Sequence, residues 1–285
     1  MPVLRLALAF ILLVLGLSLS TFAQGTYTLI AYPQSGTATY PYGINSSGEV
    51  VGFWGPDKLG NYEGFLLSNA TYTAIVSPSG FETSLNGIND NGQLVGYDGL
   101  HGFIYDVNGQ TFTNIDYPGA SNTYATAINN AGNVVGYFCP TAGLSSGFLL
   151  VGSIFTKIAP PNSSDIRLGG ISNAGVVVGY AFSNRTDRFS FFSLKKNYRT
   201  INIPGAPGAL VFGINPQGNA IVGDYNYDGF LYQNGQLQTL HVPGSMVTCA
   251  SGINSLGQVV GYYENLTGSC CSGFLWTPPA NVASR

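Results

Sequence analysis

The segment Asp224-Tyr225-Asn226-Tyr227-Asp228-Gly229 places three oxygen-bearing side chains at alternate positions before a glycine. This is the opening half of a loop that wraps calcium, the glycine permitting the sharp turn. Gly235 stands where the bidentate glutamate of such a loop belongs, and Asp228-Gly229-Phe230 is also part of a repeated x-G-F element. Asp224, Asn226 and Asp228 are thus candidate calcium ligands, and no other cofactor is expected. A second set is aromatic. Phe53, Tyr97, Tyr137, Tyr180 and Tyr262 each follow an equivalent glycine, Asp224 with Tyr225 fills the sixth such place, and Trp54 enlarges the set. Rings beside Asn and Ser suit a sugar, whose C–H faces pack on aromatics while its hydroxyls take hydrogen bonds. The other reading is scaffold, with the rings wedged between repeats.

Other chemistry is sparse. No G-x-S-x-G elbow, H-E-x-x-H pair or phosphate-cradling glycine loop occurs. His101 and His241 are the only two histidines, too few for a catalytic ring. A glycosidase-type carboxylate pair would have to converge from different repeats among the thirteen acids, which spacing leaves open. Arg185, Arg188, Lys195, Lys196 and Arg199 cluster in one repeat, as a solvated hairpin or an edge for an anionic polymer. The net charge of −3 supplies no basic field, so nucleic acid is not an expected partner.

Positioning such residues falls to a repeat. G-I-N-x-x-G-x-V-V-G-aromatic begins at Gly43, Gly87, Ala127, Gly170, Gly213 and Gly252, at spacings of 44, 40, 43, 43 and 39 residues. The x-G-F element centres on Phe65, Phe103, Phe148, Phe191, Phe230 and Phe274. Aromatic-x-x-Ile-x-x-Pro begins at Tyr27, Tyr72, Phe112, Phe155 and Tyr198, with Leu237-Leu240-Pro243 its loosest copy. Asn-x-x-Gly reads as a tight hairpin, the glycine taking positive φ. Val-Val runs place β-branched side chains on both faces, as in a strand covered on both sides. The glycine that follows suits close backbone approach between sheets.

Four short strands per repeat of about 42 residues predict propeller blades. The third motif stands alone before the first repeat, and the last repeat ends after Phe274 without one. An all-β, six-bladed β-propeller follows, its ring closed by the N-terminal strand joining the C-terminal blade, which leaves no open edge. The expected organisation is a signal peptide over 1–23 and a single propeller domain over 24–285. Arg5 followed by the apolar run Leu6 to Leu19 and by Thr21-Phe22-Ala23 fits a cleaved leader. That run falls short of the ~20 residues a spanning helix needs, so no membrane span is expected after cleavage.

The motif series resembles the extracellular HAF-repeat proteins of bacteria. Gly87 to Ala120 carries it most clearly, with Gly87-Ile88-Asn89, His101-Gly102-Phe103 and the run FTNIDYPGA from Phe112. Phe189-Ser190-Phe191 departs from it. The resemblance implies export and repeat architecture, and carries no functional residue.

Export makes disulfides plausible for the four cysteines, and no C-x-x-C spacing offers zinc. Adjacent Cys270 and Cys271 could join only through a strained ring. Cys249, taken to lie between a fourth and a first strand, is expected to bond Cys270 or Cys271, with Cys139 left free across the ring. The expected function is that of a secreted or periplasmic monomer, more a binding protein than an enzyme, taking a glycan or an extracellular protein on one loop face. A propeller carbohydrate-active enzyme and a structural matrix or surface component are the alternatives.

Overall fold

The computed structural model describes residues 25–34, 37–56, 62–80, 82–141, 143–183, 187–265 and 271–280. The segment read as a leader lies outside them, as do Arg185 and Cys270. The described residues form 24 strands in six four-stranded antiparallel sheets, with no helix. No helix among them is therefore long and apolar enough to cross a membrane. The six sheets are the blades of a β-propeller.

Five blades are consecutive hairpins; the sixth is composite. Thr26–Ile30 pairs antiparallel with Ser272–Thr277 in the register Thr26↔Thr277 to Ile30↔Gly273. Tyr27 meets Phe274 edge-to-face at 5.6 Å. The same contact joins fourth and third strands elsewhere: Tyr72–Phe65, Phe112–Phe103, Phe155–Phe148 and Tyr198–Phe191, at 5.2–6.2 Å. The closing strand thus packs like these four fourth strands, each aromatic pair contributing roughly 0.5–1.5 kcal/mol beyond burial.

The core lies between blades. Val51 and Leu66 of one blade pack against Leu85 and Phe103 of the next. Val260 of the last packs against Val50 and Phe65 of the first. The six x-G-F phenylalanines are all at most 2% exposed. Val-Val runs are buried on both faces because each blade is sandwiched.

Inner strands face a central channel. All six carry a bulge at an equivalent place, where pairing with the second strand skips Tyr42, Asn86, Thr126, Gly169, Phe212 or Ser251. The extra residue bends the strand and turns a side chain toward the axis. The bulge explains the glycine of the Val-Val-Gly motif, whose close approach is within a blade rather than between sheets. A Cβ on Gly52, Gly96, Gly136, Gly179, Gly223 or Gly261 would meet an inner-strand carbonyl oxygen at 1.8–2.3 Å.

The Asn-x-x-Gly turns close one end of the ring. Asn89 Oδ1 accepts the backbone N–H groups of Asn91 and Gln93, both at 3.0 Å, while its Nδ2 donates to the Asn129 carbonyl of the next blade at 3.0 Å. Asn129 donates likewise to Ser172 and Asn254 to Asn45, each at 3.0 Å. Ser172 has no amide to extend, and there the Asn173 N–H donates to the Pro216 carbonyl at 2.9 Å. Gly48, Gly92 and Gly132 take φ of 76–80°, as the turn requires.

Two substitutions test this account. Gly136→Ala should destabilise by about 3 kcal/mol or more, because its Cβ meets backbone rather than a mobile side chain. Gly175→Ala, at φ 80° with nothing within 4 Å, should cost only about 1 kcal/mol. Urea unfolding orders the two, and equal costs would remove the bulge as the reason for that glycine. By the same measurement, Asn89→Ala should cost about 2–4 kcal/mol, since it strands buried partners in its own turn and in the next blade.

Candidate functional site

Alternation along each second strand decides which aromatics reach the channel. Phe53 and Trp54 are neighbours and so face opposite ways. Phe53, Tyr97, Tyr137, Tyr180 and Tyr262 line a cavity of about 460 Å³ at the channel mouth opposite the asparagine turns. Tyr42, Tyr124 and Phe212 join them from the inner strands, with Ser84, Asn86, Thr126 and Ser251 supplying polar groups. At the other end the inner strands nearly touch, a Cβ on Gly43 falling 3.0 Å from the Gly87 Cα, and only about 70 Å³ remains open. The channel is a funnel.

Two of the expected aromatics lie elsewhere. Trp54 is buried and stacks on Tyr32 at 4.1 Å and 4°, and its Nε1 has no hydrogen-bond partner. Tyr117 and Phe138 repeat that stack at 3.6 Å, so it belongs to the blades' outer packing. Tyr225 packs against the core between the fourth and fifth blades. Sequence reasoning passed over Tyr42, Tyr124, Phe212 and Arg167. Their positions, one or three residues before the G-I-N glycine, were visible, but the bulge that aims them inward was not.

The funnel wall has two stacked runs. Tyr97 lies on Tyr124 at 3.9 Å, Tyr124 on Tyr137 at 4.5 Å, and the Arg167 guanidinium lies 4.2 Å over Tyr137. In the first blade, Phe53 stacks with Tyr40 at 4.9 Å and with Tyr42 at 5.6 Å. Tyr97 donates to the Gly99 carbonyl and accepts from Asn122 Nδ2. Burial pushes the Tyr137 phenol up to about 12, only partly offset by Arg167. Burial raises Tyr262 as well, helped by Tyr42 and Cys249. Both phenols are neutral hydrogen-bonding groups at ordinary pH.

Asp224, Asn226 and Asp228 lie on a tight hairpin in this structure. Asn226 and Tyr227, at φ 49° and 69°, make a two-residue hairpin turn in which Tyr225 pairs with Asp228 and Asp224 with Gly229. That register puts Asp224 and Asp228 on opposite faces. Asp228 is engaged by His241 Nδ1 at 2.6 Å. Asp224 instead takes the aromatic position of its blade. Burial raises its carboxyl pKa, against the opposing pull of Arg188. No group of three or more His, Cys, Asp or Glu with metal-binding geometry occurs among the described residues.

Cys249 lies within the inner strand Ser245–Ile253, paired with Tyr262, rather than in a loop. Burial pushes its thiol up to about 11, opposed by a hydrogen bond from Tyr262. The Cys271 sulfur points to Glu264 Oε1 at 3.8 Å. Cys139, Cys249 and Cys271 are not joined to one another. Of the two expected bonds, Cys249 to Cys271 is not made, and Cys270 lies outside the described residues.

Histidines do find carboxylates. His101 Nδ1 lies 2.7 Å from Asp116, in the same two places that Asp228 and His241 fill with the identities exchanged. Each pair links the residue before the G-F of x-G-F to the residue after the fourth-strand Ile or Leu, so aligning the repeats by column exposes it. Asp116 raises the pKa of His101 through a hydrogen bond, against slight desolvation. A raised folded pKa makes this stabilisation complete below the unfolded value near 6.5 and lost as pH rises through the folded one. Asp116→Asn should therefore be less stable than the parent at about pH 5.5, with the gap closing by about pH 8.5. Urea midpoints at the two pH values measure this, and a gap independent of pH would refute it.

No protein-family model and no curated protein sequence matches the chain. Solved structures do share its fold. A gluconolactonase of Xanthomonas campestris aligns at TM-score 0.53 with 15% identity, over 85% of this chain and 87% of that one. A luciferin-regenerating enzyme aligns at 0.55 with 12% identity, over 90% and 96%. TolB of Acinetobacter baumannii aligns at 0.50 with 10% identity, over 85% and 64%. At such identities the likeness shows that this chain has the propeller fold, and nothing further.

Proposed function

We propose that this chain is an exported, noncatalytic propeller of the HAF-repeat kind that binds a saccharide in the aromatic funnel. One observation carries the reading: five second-strand rings and three inner-strand rings converge on a single cavity of about 460 Å³. A cavity of that size holds a two- or three-sugar segment, which packs its C–H faces on the rings. Ser84, Asn86, Thr126 and Ser251 offer partners for its hydroxyls. Two of the structural neighbours are enzymes by name, but a hydrolase of the paired-carboxylate type wants two acids flanking the bond. Among the described residues, the side chains lining the cavity include no such pair. Asp224 is the only acid at the six ring positions.

Isothermal titration with neutral and acidic hexose trimers tests the proposal. Tyr97→Ala and Tyr180→Ala should each weaken binding about tenfold through lost stacking. Tyr225→Ala, outside the funnel, should bind as the parent does. Binding by no trimer, or equal binding by all four proteins, would remove the saccharide reading.

A further inference from the structure

We infer that the saccharide is anionic, its carboxylate or sulfate ester held by Arg167 at the side of the funnel. The inference rests on the saccharide reading and narrows it to a ligand class. Among the described residues, Arg167 is the only charged side chain lining the cavity. Its direction is fixed by the strand: Ile166 and Leu168, at 2% and 1% exposure, point into the core, so Arg167 between them faces the channel.

The scaffold makes no use of a charge there. The equivalent inner-strand residues, three before the G-I-N glycine, are Tyr40, Ser84, Tyr124, Leu210 and Cys249. Five blades therefore form without one. Half-burying a guanidinium carries a desolvation cost, offset here by Tyr137 and Asp165, and a cation kept on a wall that five other blades build without one marks a candidate site.

Nor is the cation fully used internally. Among the described residues its carboxylate neighbour is Asp165, with one oxygen 3.5 Å from Nε. That same oxygen also accepts the Ser145 hydroxyl. Stacking on Tyr137 at 4.2 Å holds the guanidinium. A planar, pre-set fork of this kind matches an oxyanion with two parallel hydrogen bonds, which a neutral hydroxyl cannot accept. The one acid at the ring positions, Asp224, already has Arg188 acting on it, and Arg188 itself lies 5.8 Å over the Phe182 ring. The cation in the funnel wall thus comes from the fourth blade, whose Arg188 acts on Asp224 of the next.

The test is titration of the full chain with three probes at low salt: trigalacturonate, its methyl ester, and a sulfated galactose trimer. The acid or the sulfate should bind at least about tenfold tighter than the ester, as expected for a charge-assisted bidentate pair. Arg167→Gln should narrow that ratio to below about twofold, and Arg167→Lys should restore only part of it. A thermal midpoint of the Arg167→Gln variant close to that of the parent would show that the loss is local. Preference for one anion over the other names the source. Equal binding of ester and acid by the parent would overturn the Arg167 anchor while leaving the saccharide funnel standing. Failure of every probe would overturn both.

Discussion

A carbonyl oxygen of each inner strand points at the place where the glycine of the second strand would carry its Cβ, 1.8–2.3 Å away in all six blades. That contact is tolerable only for glycine, and it fixes the bulge. The bulge in turn decides which inner-strand side chains enter the channel. Without it, the pairing would run on unshifted and Tyr42, Asn86, Thr126, Phe212 and Ser251 would keep their alternation. The funnel is therefore a consequence of a backbone clash that the chain avoids six times over.

Blade-to-blade attachment is of two kinds. Apolar packing between sheets is strong and indifferent to small rotations, whereas the asparagine turns supply direction through amide-to-carbonyl bonds near 3.0 Å. These turns draw the inner strands together until backbone meets backbone at the G-I-N glycines. One end of the channel closes for that reason, and the other flares. Ring closure uses the same aromatic pair as four of the other five blades, so the composite blade is closed by the same geometry as those. The variant fourth blade shows how the scheme absorbs change. Ser190, in place of a glycine, accepts the Val211 N–H at 3.0 Å and donates to the Ala209 carbonyl at 2.8 Å, bridging to the next blade.

The funnel differs from the rest of the interior in what it leaves unfinished. Core aromatics such as Phe65 and Phe103 are enclosed, but the ring residues are half-buried, stacked in runs and neutral. Arg167 ends one run, and Asp224 takes the ring position of the adjacent blade. A rigid scaffold needs neither residue. Their presence distinguishes the funnel from ordinary inter-blade packing and gives its proposed ligand an orientation.

Periodicity and motif order made much legible from sequence: six blades, strand order, hairpin glycines, and ring closure from the spare motif at one end and the missing one at the other. Which of Phe53 and Trp54 faces inward was not legible, because two adjacent aromatics satisfy alternation in either phase until the sheet has neighbours. Nor was the fate of Asp224 and Asp228, whose calcium-like spacing fits a hairpin equally well; only pairing put them on opposite faces and brought His241 to Asp228. Arg167 carried no motif at all. Its importance lies in being the one charge among residues drawn from all six blades, a property that exists only once the ring has closed.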